Sequence, residues 1–86
     1  MDDRRKRLLF RSNHTGMKET DLLLGSFAAA RLAAMNEAQV DRFEALLEEP
    51  DPDILSWIYG RAAAPARHDN DVLDMLKSFK YYDLKN

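Results

Sequence analysis

Only six of the 86 residues carry a β-branched side chain, and no long stretch of the sequence alternates apolar and polar positions. β-Strands favour Val, Ile and Thr, and they show that alternation when one face is buried. The residues that dominate this chain are Ala, Leu, Glu, Lys, Arg and Met, which favour helices. The sequence therefore predicts an all-α fold.

Helix-stopping residues divide the chain into five predicted helices. They are residues 3–12, residues 17–35, a third helix that follows Asn36 and stops at Pro50, a fourth from Pro52 to Gly60, and a fifth that begins near Asp69 or Asn70. Residues 62–67 are predicted to form a loop, and the tail from Tyr81 onward is predicted to fray. Short connections make consecutive helices antiparallel neighbours, so we expect a compact five-helix bundle.

Side-chain signals mark several of the predicted helix starts. Asn36 and Gln39 have the spacing of a capping box at the third helix. Asp51 is predicted to cap the fourth helix, with Pro52 at its first position. Thr15 is of the residue type that caps a helix, and it precedes the second one. Each cap would satisfy backbone amides that the first helical turn leaves unbonded.

Apolar residues at helical spacing identify the predicted core. In the second helix Leu23, Phe27, Ala30 and Ala34 form one stripe, widened by Leu24 and Ala28. The residues predicted to be buried in the later helices are Val40, Phe43, Leu46, Leu47, Ile54, Leu55, Trp57, Ile58, Val72, Leu73, Leu76 and Phe79. Gly25, inside the second helix, is expected where two helices pack closely.

Length and composition limit the class of protein. A chain of 86 residues forms one domain, here residues 1–86. It has no Cys and so no disulfides, which points to a reducing compartment, with the bacterial cytoplasm as the expected location. No apolar stretch approaches the roughly 20 residues of a membrane span, so we expect no membrane insertion.

The sequence offers few residues for catalysis or metal binding. His14 and His68 are far apart and are both predicted to be solvated residues of polar turns. The acidic run 48–53 lacks the alternating ligands and central Gly of a calcium loop, and a helix stop followed by a helix cap explains it. The three glycines are isolated, so no phosphate-binding loop is present. We predict that the chain is not an enzyme and holds no metal.

The basic cluster Arg4, Arg5, Lys6 and Arg7 has two interpretations. Clustered Lys and Arg residues bind nucleic-acid phosphates by releasing counterions. However, the formal net charge of the chain is -2, and no nucleic-acid recognition motif accompanies the cluster. A helix end that faces solvent or a protein partner is the favoured interpretation.

Two blocks of the sequence are distinctive. The first contains RRKRLLFRS at residues 4–12 and GMKETDLLLG at residues 16–25, and the second is FEALLEEPDPDILSWI at residues 43–58. Together they resemble the succinate dehydrogenase assembly factors of the bacterial SdhE type, most closely those of alphaproteobacteria. The resemblance implies a five-helix bundle that binds the flavoprotein subunit of succinate dehydrogenase, or in some bacteria of fumarate reductase. Family members promote covalent attachment of FAD to that subunit and are not themselves enzymes.

The family motif is Arg-Gly-x-x-Glu at the start of the second helix. Gly16 and Glu19 match it, whereas Thr15 stands in place of the arginine and Asn13 in place of a nearby aromatic residue. Arginine offers a planar fork of donors that Thr15 lacks, so this departure bears directly on affinity for the partner.

The resemblance implies a partner-binding surface around this motif. Its residues are Thr15, Gly16 and Glu19, with Arg7, Arg11 and Lys18 as a basic rim that steers the encounter. The partner would hold the FAD, and its own histidine would attack the flavin, so the present chain needs no cofactor. We expect the free chain to be a monomer. The alternatives are an interaction module without flavinylation activity and a nucleic-acid-binding protein that uses the basic N-terminus.

Overall fold

The structure is a computed structural model that describes residues 1–79. Five α-helices occur in this range: α1 (Asp3–Ser12), α2 (Lys18–Arg31), α3 (Glu37–Leu47), α4 (Asp51–Ile58) and α5 (Asp71–Ser78). Short 3₁₀ helices at Leu32–Ala34 and Ala66–His68 lead into α3 and α5, and these residues form no strand. The predicted all-α five-helix bundle is confirmed. The tail from Tyr81 onward, predicted to fray, lies outside the described residues.

The helices enclose one apolar core. α1 packs against α2 and α3, and α5 packs against α3 and α4. Phe27 of α2 lies at the centre, with its ring 5.7 Å from that of Phe43 and edge-on to Phe79 at 5.5 Å. The residues predicted to be buried in α3, α4 and α5 are buried, apart from Leu47, which is half-buried against the same core.

The end of the second helix differs from the prediction. α2 stops at Arg31 rather than at residue 35, and the chain tightens into the 3₁₀ helix before α3. Ala30 and Ala34, predicted to be buried, are exposed, whereas Leu32 and Met35 are buried. Burying Leu and Met removes more apolar area from water than burying Ala, which favours this arrangement.

Three helix starts follow the rules of side-chain capping, and at α1 the Asp2 side chain accepts the Arg5 amide. The Gln39 amide donates to Asn36 Oδ1 at 2.8 Å and the Asn36 amide donates to Gln39 Oε1 at 3.0 Å, so the predicted capping box is confirmed. At α5 the Asn70 side chain accepts from the amides of Val72 and Leu73. The cap predicted at Asp51 is wrong: Pro50 holds that position, and Asp51 is the first helical residue, which frees its carboxylate for a longer-range contact.

Gly25 lies where α2 passes the end of α1. The Asn13 side chain faces it so closely that a Cβ on Gly25 would overlap the Asn13 amide group. The close packing predicted for this glycine is confirmed, and the contact lies at Asn13, the first residue of the turn that joins the two helices. No helix within residues 1–79 combines the length and the apolar character that crossing a membrane requires.

Candidate docking surface

The turn at residues 13–17 joins α1 to α2 and carries the sequence motif. Gly16 is exposed and has a φ of +117°, a backbone conformation that residues with a side chain rarely adopt. A Cβ built at Gly16 would have no atom within 4 Å, so lack of space does not require glycine here. The positive φ is what favours glycine at this position.

Thr15 binds Asp21 in α2. Its amide and its hydroxyl both donate to Asp21 Oδ1, at 2.6 and 2.7 Å. The hydroxyl bond, followed by the amide bond, lowers the pKa of the Asp21 carboxyl below its ordinary value. Thr15 does not cap α2 as predicted, because Met17 occupies the cap position and Thr15 lies two residues earlier.

Met17 links the turn to the acidic run that follows α3. Its amide donates to Asp51 Oδ2 at 3.1 Å. A cleft of about 500 Å³ lies between the turn and residues 47–52, and Gly16, His14 and Glu49 are among its lining residues. Sequence reasoning assigned the acidic run only to helix ends and missed that it forms the opposite wall of this cleft.

Glu19 lies in the first turn of α2 and is exposed. Its Oε2 accepts a hydrogen bond of 2.8 Å from the hydroxyl of Tyr59, the residue that ends α4. Gly16 and Glu19 are thus both on the surface rather than inside the bundle. No feature of the sequence could have assigned Tyr59 to this surface, because its contact with Glu19 joins positions 40 residues apart.

The three predicted rim residues differ in their surroundings. Arg11 lines the cleft, donating to the Leu47 carbonyl at 3.3 Å and pairing with Glu48 at 3.0 Å. Arg7 and Lys18 are exposed and form no ion pair within residues 1–79. The structure therefore places Arg11 in the cleft wall and leaves Arg7 and Lys18 available to a partner.

Large apolar side chains are exposed around the same turn. The Phe10 side chain is 64% exposed, and its ring stacks on His14 with centroids 3.9 Å apart. Met17, Leu22 and Tyr59 are also exposed. Together with Phe10 and Met1, they are the large apolar residues that are exposed in the described chain. Exposed apolar groups concentrated in one region mark interaction surfaces.

The basic cluster of α1 is partly occupied by contacts within the chain. Arg4 pairs with Asp41 at 2.6 Å and with Glu44 at 2.8 Å, both in α3. Arg5 donates to the carbonyls of Leu32 and Met35 at 3.1 and 2.7 Å. The prediction of a helix end that faces solvent or a partner is wrong for these two arginines, because nearby carboxylates and helix-end carbonyls bind them.

The two histidines have opposite environments. His14 is exposed in the turn, as predicted. His68 is only 3% exposed, so the prediction of a solvated residue is wrong for it. Its ring stacks on Trp57, and its Nε2 donates to Glu49 at 2.6 Å. This bond, and then those from Arg67, lower the pKa of the Glu49 carboxyl.

Among residues 1–79 no group of potential ligands is arranged to hold a metal ion.

Comparison with known proteins gives a family match and several relatives. Residues 6–80 match the family described as "Flavinator of succinate dehydrogenase". The chain is 42% identical over 73 residues to "Succinate dehydrogenase assembly factor 2, mitochondrial" of Dictyostelium discoideum, covering 85% of this chain and 52% of that protein. It is 44% identical over 70 residues to "FAD assembly factor SdhE" of Acetobacter pasteurianus, covering 81% of this chain and 64% of that protein.

A vertebrate relative shows the same pattern. The chain is 40% identical over 81 residues to "Succinate dehydrogenase assembly factor 2, mitochondrial" of Danio rerio, covering 92% of this chain and 51% of that protein. The chain thus spans about half to two thirds of the length of these three relatives.

Proposed function

Because the chain belongs to the succinate dehydrogenase flavinator family, as the sequence resemblance predicted, we propose that it binds the flavoprotein subunit of succinate dehydrogenase. Binding promotes covalent attachment of FAD to that subunit. The family match extends over residues 6–80, which include every residue of the turn and of the cleft beside it.

One observation carries the docking part of this proposal: Gly16 in the turn and Glu19 in the first helical turn of α2 are both exposed. Gly16 has no side chain, so a partner can approach its backbone closely. Glu19, three positions further along, offers a carboxylate that accepts hydrogen bonds and is oriented by Tyr59. A backbone surface beside an oriented acceptor favours recognition of another protein over a reaction carried out on this chain.

The surrounding side chains suit an encounter with a protein surface. Phe10, Met17 and Leu22 supply exposed apolar area, which stabilises an interface when it is buried. Arg7 and Lys18 supply free positive charge, which speeds association with an acidic surface. The chain acts by positioning the flavoprotein, while the flavoprotein holds the FAD and supplies the reacting side chain. We therefore assign it no enzymatic activity and no cofactor of its own.

The internal contacts of the basic cluster weaken the nucleic-acid alternative. Arg4 and Arg5 bind α3 and the segment before it, which leaves Lys6 and Arg7 as the exposed cations of that cluster. Titration with DNA and with RNA at two salt concentrations should show no salt-sensitive binding. Salt-sensitive binding at low micromolar concentration would favour the alternative instead.

Co-expression with a succinate dehydrogenase flavoprotein subunit tests the proposal. After denaturing electrophoresis, covalently held FAD is detected by the fluorescence of the flavoprotein band. We expect strong fluorescence with the wild-type chain and little with the Gly16→Arg variant, whose circular-dichroism spectrum should remain helical. Equal fluorescence with and without the chain would overturn the proposal. Binding without added fluorescence would instead support an interaction module that lacks flavinylation activity.

Three finer predictions belong with this proposal. A fumarate reductase flavoprotein subunit should serve as a second partner, which the same co-expression assay tests. The free chain should be monomeric, which light scattering across a tenfold concentration range would show. The bacterial cytoplasm stays the predicted location, and fluorescence microscopy of a tagged chain tests it.

A further inference from the structure

We propose that Asp21 and Asp51 are positioning residues that hold the Gly16 turn in its docking conformation. Their carboxylates bind the two backbone amides that flank Gly16, one on each side. The inference rests on the proposed function, because it assigns a role to residues that support the same docking surface.

Asp21 provides the first anchor from within α2. Its Oδ1 accepts both the amide and the hydroxyl of Thr15, so one oxygen fixes the backbone and the side chain of the residue before Gly16. Both groups are half-buried. Hydrogen bonds to a carboxylate are about twice as strong as those between neutral groups, and shielding from water strengthens them further.

Asp51 provides the second anchor from a separate element. Its Oδ2 accepts the Met17 amide at 3.1 Å, although the two residues are 34 positions apart. Asp51 is the first residue of α4, so the position of that helix determines the position of the carboxylate. The turn is therefore fixed to α2 on one side of Gly16 and to α4 on the other.

The anchors matter because Gly16 itself restricts the backbone least. A glycine populates positive and negative φ about equally, so an unanchored turn would sample many shapes. A partner that binds one of those shapes would bear the entropy cost of selecting it, and the affinity would fall. Two anchored amides restrict the sampling before the partner arrives.

Alanine and asparagine substitutions distinguish the loss of a hydrogen-bond acceptor from the loss of negative charge alone. Asp51→Ala removes the acceptor of the Met17 amide, whereas Asp51→Asn keeps an acceptor oxygen. Asp53→Ala is the matched control, because Asp53 lies in the same first turn of α4 and its side chain forms no hydrogen bond or ion pair within residues 1–79. Asp21→Ala and Asp21→Asn form the equivalent pair at the first anchor.

Two measurements are made on each purified variant: the dissociation constant for the flavoprotein subunit by calorimetry, and amide hydrogen exchange at Thr15 and Met17 by NMR. Asp51→Ala should weaken binding about tenfold, roughly the net contribution of one hydrogen bond to a charged group, and speed exchange at Met17. Asp21→Ala should do the same through Thr15. Asp51→Asn and Asp21→Asn should recover most of the affinity, and Asp53→Ala should bind like wild type.

Wild-type affinity in both alanine variants would overturn the positioning role while leaving the proposed function intact. Equal weakening by Asp53→Ala and Asp51→Ala would also overturn the role of Asp51, since charge at the start of α4 would then explain the effect. If an alanine variant fails to fold, its folded asparagine counterpart decides. A neutral oxygen is a weaker acceptor than a carboxylate, so modestly faster exchange at the flanking amide supports the anchor, and unchanged exchange overturns it. Absence of binding by the wild-type chain would instead refute the proposed function itself.

Discussion

Gly16 and Gly60 are the two residues of the described chain with positive φ, at +117° and +73°. Both are exposed, and a Cβ at either would meet no atom within 4 Å. Replacing either by Ala therefore adds backbone strain without a steric clash. The cost in the free energy of unfolding is about 1–2 kcal/mol for Gly60, whose φ is close to the left-handed helical region, and larger for Gly16, whose φ lies well outside it. Both substitutions add backbone strain, but only Gly16→Ala adds it in the turn between α1 and α2.

We predict that Gly16→Ala and Gly60→Ala both lower the free energy of unfolding, Gly16→Ala by the larger amount, as measured by urea denaturation. Affinity for the flavoprotein subunit should fall more in Gly16→Ala, because only Gly16 lies in the docking turn. Equal losses of affinity in the two variants would show that the conformation of this turn has no particular role in binding.

Thr15 stands where the family motif has arginine, and restoring that residue should strengthen binding. Thr15→Arg adds a planar fork of donors that can bind a carboxylate or carbonyls of the partner through two parallel bonds. We expect the dissociation constant to fall about tenfold, with Thr15→Lys giving a smaller gain because it adds the charge without the fork. Equal effects of Arg and Lys would indicate that charge alone matters here.

Helix α1 is joined to the segment before α3 by Arg5, whose side chain is only 11% exposed. Arg5→Met would leave the Leu32 and Met35 carbonyls without these donors, costing about 1–3 kcal/mol. We therefore predict a lower thermal midpoint, by about 4–8 °C for each kcal/mol lost. Arg7→Met is the matched control on the same helix, and calorimetry should show little change for it. Similar losses would mean that helix charge, not the Arg5 contacts, stabilises this junction.

The elements predicted well are those whose ends depend on adjacent residues. α1 has the predicted limits, with the Asp2 side chain accepting the Arg5 amide at 2.8 Å, and the capping box of Asn36 and Gln39 needs only three residues of sequence. The end of α2 was missed because its Ala-rich sequence favours a continuing helix, whereas the burial of Leu32 and Met35 requires a tighter turn.

The supporting contacts of the site could not be predicted, because they join distant positions. The Gly16 and Glu19 motif was recognisable from its local spacing. The bond from Met17 to Asp51 and that from Tyr59 to Glu19 exist only once α4 has packed beside the turn. In the same way, the sequence around His68 predicts a solvated loop residue, because its contacts with Glu49 and Trp57 join distant positions of the chain.

At the scale of the whole molecule, pH dependence follows from carboxyl groups that accept hydrogen bonds. The pKa is lowered below the ordinary value of 3.8 for Asp or 4.5 for Glu in Asp2, Asp21, Glu49 and Asp71. A group whose pKa is lower in the folded state stabilises the fold above its unfolded pKa. That contribution is lost as the pH falls through the folded pKa.

We therefore predict that the free energy of unfolding is steady above about pH 5 and decreases as the pH falls below about 4.5. Asp71→Asn removes one of the four groups, so its free energy of unfolding should decrease less steeply over this range. Urea denaturation monitored by circular dichroism at several pH values measures both slopes. A wild-type stability that rises on acidification would contradict this assignment.

The packing of several helices positions the turn at residues 13–17. α1 and α2 carry the turn at their junction, and α4 supports it through Asp51 and positions Tyr59 beside Glu19. The Gly16 surface therefore depends on the packing of helices that are distant in sequence. On this account, the docking turn is the surface that the flavoprotein covers.

Hydrogen–deuterium exchange of the wild-type chain, with and without a succinate dehydrogenase flavoprotein subunit, tests that claim without any substitution. We predict slower exchange in peptides covering residues 13–22 in the complex, and unchanged exchange in those covering residues 26–34 at the far end of α2. Protection confined to residues 26–34, with residues 13–22 exchanging as in the free chain, would contradict the account.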